Sequence, residues 1–125
     1  MSTSAPFVGT WRITQMSMWD QEAIDTCGPG HFLFARDNSG SLNFIAIESE
    51  LDCRYGKTKA GKPLVRFSWS GQSEYDPISG RGWAIISGGK LRGRLFIHLG
   101  DESSFVAKRE DLSPRPPPSR KRKWN

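Results

Sequence analysis

The feature that most restricts what this chain can fold into is a succession of short runs, rich in β-branched and aromatic residues, each bounded by turn residues. Runs of this length and composition read as strands, and tight turns between them bring each beside the next. They fall at Val8–Gln15, His31–Arg36, Ser41–Glu48, Leu51–Tyr55, Leu64–Ser70, Gly82–Ser87, Leu91–Leu99 and Ser103–Arg109. Between them, RDNSGS and SGGK offer Asn and Gly for positive φ, YGKTKAGKP has the composition of a hairpin loop, and HLGDES offers Gly and Asp. One segment departs from this pattern. MSMWDQEAIDTCGPG predicts a short helix at Trp19–Thr26, stopped by Gly28 and Pro29. There is no internal repeat.

A chain of 125 residues has room for one core. Eight successive strands on tight turns predict an all-β antiparallel barrel, because closure removes the free edges that invite aggregation. The barrel domain is expected over residues 1–112. Beyond it, SPRPPPSRKRKWN (113–125) has four prolines and little to bury, and is expected to be a disordered, partly polyproline tail. The formal charge of +5 is concentrated there: Arg115, Arg120, Lys121, Arg122 and Lys123 stand without an acid, so the domain itself sums to zero. No apolar run approaches the roughly 18 residues of a membrane helix. MSTSAPFVG lacks the basic region and apolar core of a signal peptide, so a cytoplasmic protein is expected, with Cys27 and Cys53 as free thiols.

Within the first run, FVGTWRI places Gly9 two residues before Trp11. The glycine lets the strand bend, and the indole is large enough to plug the end of a small barrel. This G-x-W resembles the first strand of the calycins, the lipocalins, fatty-acid-binding proteins and avidins; the lipocalin T-D-Y motif is absent. The resemblance implies a calycin-like barrel in which an Arg of the last strand packs across the Trp, and Arg109 occupies that position. The series GTWRI, MWD, LDCRYG, VRFSWSG, DPISGRGWA and LRGRLFIHLGD is similar to small single-domain bacterial proteins of unassigned function. That likeness implies a bacterial single-domain unit and brings no activity with it.

Two constellations bear on ligand binding. The segment Ser70–Ala84, read as a loop, gathers Glu74, Asp76, Arg81 and Trp83; its Asp-Pro and Gly also serve plain turn chemistry. Period-two alternation sets Asp52 and Arg54, then Arg66, then Arg92, Arg94, Phe96 and His98, on polar strand faces. Such faces are ordinarily solvated exteriors. The sharper expectation is a charged site where Asp52, Arg54, Arg66, Arg94 and His98 converge on an anionic or polar ligand.

Other chemistries find less support. Cys27, His31, Cys53 and His98 match no paired zinc motif. His98 with Asp52 or Glu74 is the available acid–base pairing, and no nucleophile elbow or phosphate-cradling glycine loop accompanies it. The expectation is therefore a non-catalytic binding module for a small polar ligand or a protein partner, with no metal and no cofactor. The alternative is an accessory nucleic-acid-binding protein, using Arg120, Lys121, Arg122, Lys123 and Trp124 in weak, salt-sensitive contact with phosphates and bases.

Overall fold

The computed structural model describes residues 3–110. Eight strands form one closed antiparallel barrel in which each strand pairs with its sequence neighbours and the first pairs with the last. They are β1 (Gly9–Met16), β2 (His31–Phe34), β3 (Ser39–Phe44), β4 (Ile47–Lys57), β5 (Pro63–Ser73), β6 (Asp76–Ser87), β7 (Lys90–Ile97) and β8 (Glu102–Arg109). A single helical turn, α1 (Gln21–Ile24), follows β1. It is shorter than the Trp19–Thr26 expected: Asp20 caps it by accepting from the Ala23 N–H, and it ends at Asp25, whose carboxylate accepts from the Gly30 N–H at 2.9 Å.

The expected strand order holds, and the boundaries differ most in two places. The turn between β3 and β4 is only Ile45–Ala46, whereas the sequence suggested a strand running through it to Glu48. Ser70–Ala84 is not a loop: β5 continues to Ser73 and β6 begins at Asp76, so Glu74–Tyr75 alone turn the chain. Its turn-forming residues lie within strands because the packing there needs small ones. The Phe67 ring lies against Gly82 and the Trp69 ring against Gly80, where a Cβ would be 2.7 Å from each. Positive φ also falls differently from expectation. Gly88 and Gly89 supply it between β6 and β7, but Leu99, not Gly100, supplies it between β7 and β8. In RDNSGS the turn is held instead by Asp37, whose carboxylate accepts from the Ser39 N–H at 2.9 Å.

Alternation decides which side of each strand is buried. Along β4, Ile47, Ser49, Leu51 and Cys53 are buried, and Glu48, Glu50, Asp52 and Arg54 are exposed. Inside, rings from distant strands meet: Phe32 of β2 lies 4.8 Å from Phe105 of β8 and 5.8 Å from Phe67 of β5 between centroids. The lumen is therefore packed with aromatic side chains. Both ends are covered. At one, Ile24 of α1 is buried, and the Ile45 N–H donates to its carbonyl at 2.8 Å. At the other, the turn preceding β1 buries Phe7 against Phe34 and Tyr55.

The G-x-W arrangement is present as expected. Gly9 has φ +123°, Trp11 is buried, and its Nε1 donates to the Phe7 carbonyl at 2.8 Å. The Arg109 guanidinium sits 4.3 Å from the indole centroid and donates to the carbonyls of Val8 and Pro6 at 2.7 and 2.5 Å. This joins β8 to β1 and the N-terminal turn at the seam where the barrel closes.

Candidate functional site

With the lumen filled, the polar groups lie on the outside. The outward residues of β4 are mainly acidic (Glu48, Glu50, Asp52), and those of β5–β7 include Arg66, Arg81, Trp83, Arg92, Arg94 and Phe96 among neutral polar residues such as Ser68, Ser70 and Gln72. Pairing register places them in rows across the sheet. One row runs Arg54, Arg66, Trp83, Arg94, Ser104; the next runs Asp52, Ser68, Arg81, Phe96, Glu102.

Two ion pairs neutralise part of this surface. Arg54 meets Asp52 at 2.6 Å and Arg94 meets Glu102 at 2.8 Å, all four side chains being substantially exposed. Such pairs hold conformation more than they contribute stability. Among the described residues, Arg66, Arg81 and Arg92 have no carboxylate partner. Arg81 instead lies over the Phe96 ring, 5.4 Å from its centroid.

Clefts follow these rows. Arg66, Arg81, Trp83 and Phe96 line one of about 350 Å³, floored by Phe67 and Gly82. Arg81 and Phe96 also border a larger one of about 460 Å³, together with Ser79, His98, Asp101 and Glu102. His98 lies just past β7, where its backbone N–H donates to the Ser79 carbonyl at 2.8 Å. Arg81 and Phe96 are common to both clefts.

The anticipated residues on the barrel therefore separate into three groups. Arg66, Arg81, Trp83 and Arg94 are brought together, and His98 lies beyond the end of β7 at the rim of the larger cleft. Asp52 and Arg54 are paired with each other at the β4 border of the face. Glu74 and Asp76 are not gathered with Arg81 and Trp83. Arg81 lies five residue steps from Asp76 along extended β6, roughly 16 Å along the strand. Arg120, Lys121, Arg122, Lys123 and Trp124 lie outside the described residues.

Besides Arg92, sequence reasoning left Phe96 out of the site. Alternation had placed it on the face of Arg92, Arg94 and His98, but its pairing with Arg81 depends on register between β6 and β7. The aromatics interleaved with cations become visible only across strands, because Trp83 and Phe96 are thirteen residues apart in the chain.

His98 shares its cleft with Asp101 and Glu102 rather than with Asp52 or Glu74. Among the described residues no hydrogen bond joins its imidazole to a carboxylate, and Glu102 is engaged by Arg94. The possible zinc ligands are dispersed: Cys53 is inside the barrel, Cys27 and His31 border a separate cleft, and His98 lies on β7's outer side. No cluster of three or more His, Cys, Asp or Glu side chains among the described residues can hold a metal ion. Nor is any described helix long and apolar enough to cross a membrane.

A marked electrostatic perturbation lies away from this face. Arg12 grips Asp25 through two hydrogen bonds, of 2.9 and 2.7 Å, where α1 meets β1. The guanidinium holds the Asp25 carboxyl well below the usual carboxylate range, against the opposing effect of burial and with help from the Gly30 N–H and Gln21. Asp25 is thus an anchor for the end of the barrel. Inside, burial pushes the Cys53 thiol and the Tyr55 hydroxyl upward. Tyr55 Oη is enclosed without a hydrogen bond of normal geometry.

No family model and no curated protein matches the chain. Among solved structures it is similar to one titled "REP1-NXSQ fatty acid transporter", at 12% identity and a TM-score of 0.45, over 87% of this chain and 99% of that one.

Proposed function

We propose that this protein is a non-catalytic binding module whose polar, anionic ligand sits on the outer face of β5–β7. One observation carries the reading: Arg66 and Arg81 stand without carboxylate partners beside Trp83 and Phe96, around a cleft of about 350 Å³. Unpaired guanidinium groups favour anions with planar oxygen arrangements, and an adjacent aromatic floor adds apolar contact and excludes water. The packed lumen supports the choice of the outside over the inside, since a ligand there must displace close-packed rings. The ion-paired borders at Arg54–Asp52 and Arg94–Glu102 then act as fixed rims. Nucleic-acid contact by the basic segment 113–125 is the alternative and rests on its charge.

The test is calorimetric titration of the full chain with inorganic phosphate, pyrophosphate and nucleoside phosphates. Arg66→Ala and Arg81→Ala should each weaken binding of whichever anion is taken up by roughly tenfold, the scale of one charge-assisted hydrogen bond. Arg36→Ala, at an exposed position after β2, should have no effect. Equal binding by all four proteins would place the anion site elsewhere.

A further inference from the structure

Trp83 and Phe96 occupy adjacent strands one pleat apart, Trp83 opposite Arg94 and Phe96 opposite Arg81. Arg81 covers the Phe96 ring, whereas Trp83 is a large aromatic left 37% exposed. Building on the anion-binding reading, we infer that the ligand is single-stranded nucleic acid: one unpaired base stacks on Trp83 while Arg81, Arg66 and Arg92, in that order of rows across the sheet, take phosphates.

Three features favour a strand over other anions. The first is the spread of the free cations. Arg81 lies opposite Phe96, and Arg92 is four residues from Phe96 along β7, which sets their backbones roughly 14 Å apart. A single phosphate cannot touch both at their bases, whereas a chain of phosphates passes each in turn. The second is the mixture of residue types. Every base has a π-face, so an open indole among guanidinium groups is the combination that holds single strands without reading sequence. A duplex keeps its bases stacked on one another and cannot offer them to Trp83 without unpairing.

The third feature is the closed barrel, which separates nucleic acid from an acidic peptide. An extended peptide docks most strongly by adding a strand to an open sheet edge. Here β1 pairs with β8, so the ring of strands leaves no edge free. An acidic peptide would have only side-chain contacts, and its own backbone groups would remain unpaired against the sheet. The acidic outer residues of β4 also set the path. Phosphates are repelled from Glu48, Glu50 and Asp52, so the strand is directed along β6 and β7 toward Arg92.

The experiment measures fluorescence anisotropy of a labelled oligothymidylate of roughly 12 nucleotides, within the range a small barrel covers. A strand of the same length built from abasic residues supplies the phosphates without bases. Both are titrated with the full-length protein and its Trp83→Ala, Trp83→Phe and Arg81→Ala variants, after melting curves have confirmed that each is folded. Trp83→Ala should weaken oligothymidylate binding tenfold or more, and Trp83→Phe should retain most of it. The abasic strand should bind the wild-type protein no better than oligothymidylate binds Trp83→Ala. Arg81→Ala should weaken both strands. Equal binding of the two strands, or a silent Trp83→Ala with a weakened Arg81→Ala, overturns base stacking and leaves the anion site standing. If Arg81→Ala is also silent, both readings fail; if neither strand binds, single-stranded nucleic acid is ruled out while the small-anion titrations still judge the site.

Discussion

Trp11 shows how one side chain closes the fold. Its ring is buried, its N–H reaches back to Phe7, and Arg109 covers its face from the last strand. Trp11→Ala removes the ring and leaves the guanidinium without its platform, so a loss of roughly 3–5 kcal/mol is expected in denaturant titration. Gly9→Ala must place a Cβ at φ +123° and only 2.9 Å from Arg109 Nη1, which disturbs the same junction. A second residue-scale prediction concerns acid. The Asp25 carboxyl is depressed in the folded protein, so unfolding takes up protons as the pH falls below the ordinary carboxylate value. Its contribution is therefore fully present above about pH 4 and lost progressively below it. Asp37, lowered by Ser39, acts in the same direction. Comparing urea midpoints at neutral and acid pH should show a smaller acid loss in Asp25→Asn than in wild type. The thiols provide a third: Cys27 is exposed and Cys53 buried with its thiol pushed upward. A thiol-reactive chromophore should modify one cysteine rapidly in the native protein and the second only on unfolding.

At the scale of elements, the β5–β6 hairpin explains both what the sequence revealed and what it concealed. Alternation in LVRFSWS set Val65, Phe67 and Trp69 on one face, opposite Arg66 and Ser68, and the structure buries all three. The segment that follows, SGQSEYDPISGRGWA, has the composition of a turn, yet most of it is strand. Propensity was overridden because the rings of β5 need flat neighbours, and Gly80 and Gly82 provide them on the inner side of β6. A local pattern cannot show that requirement, since it is a demand of one strand on the residues of another. Gly82→Ala tests it directly. The added Cβ would stand 2.6 Å from the Arg94 carbonyl and 2.7 Å from Phe67. Overpacking of this kind should cost about 1–3 kcal/mol, and Phe67→Leu in the same background should recover part of it. The same limit hid Phe96 from the candidate site: its strand face was legible, but its partner Arg81 was set by register.

Across the whole molecule, charge is distributed on two levels. The formal +5 belongs to residues 113–125, while residues 1–112 are neutral in sum but divided, with acids outward on β4 and unpaired arginines outward on β5–β7. Salt separates these contributions. Each phosphate neutralised on a single strand adds roughly 0.7 to the slope of log affinity against log salt. Replacing Arg120, Lys121, Arg122 and Lys123 together by Gln should therefore flatten the slope for oligothymidylate, because sequence-independent attraction depends on charge number. It should not abolish the difference between wild-type Trp83 and Trp83→Ala, because stacking is a short-range contact that salt screens weakly. Arg66→Ala combined with Arg81→Ala should do the reverse, shrinking the Trp83 effect by removing the groups that hold the strand over the indole. If the four tail substitutions alone erase both the slope and the Trp83 dependence, binding is a property of residues 113–125 and the barrel face is a bystander.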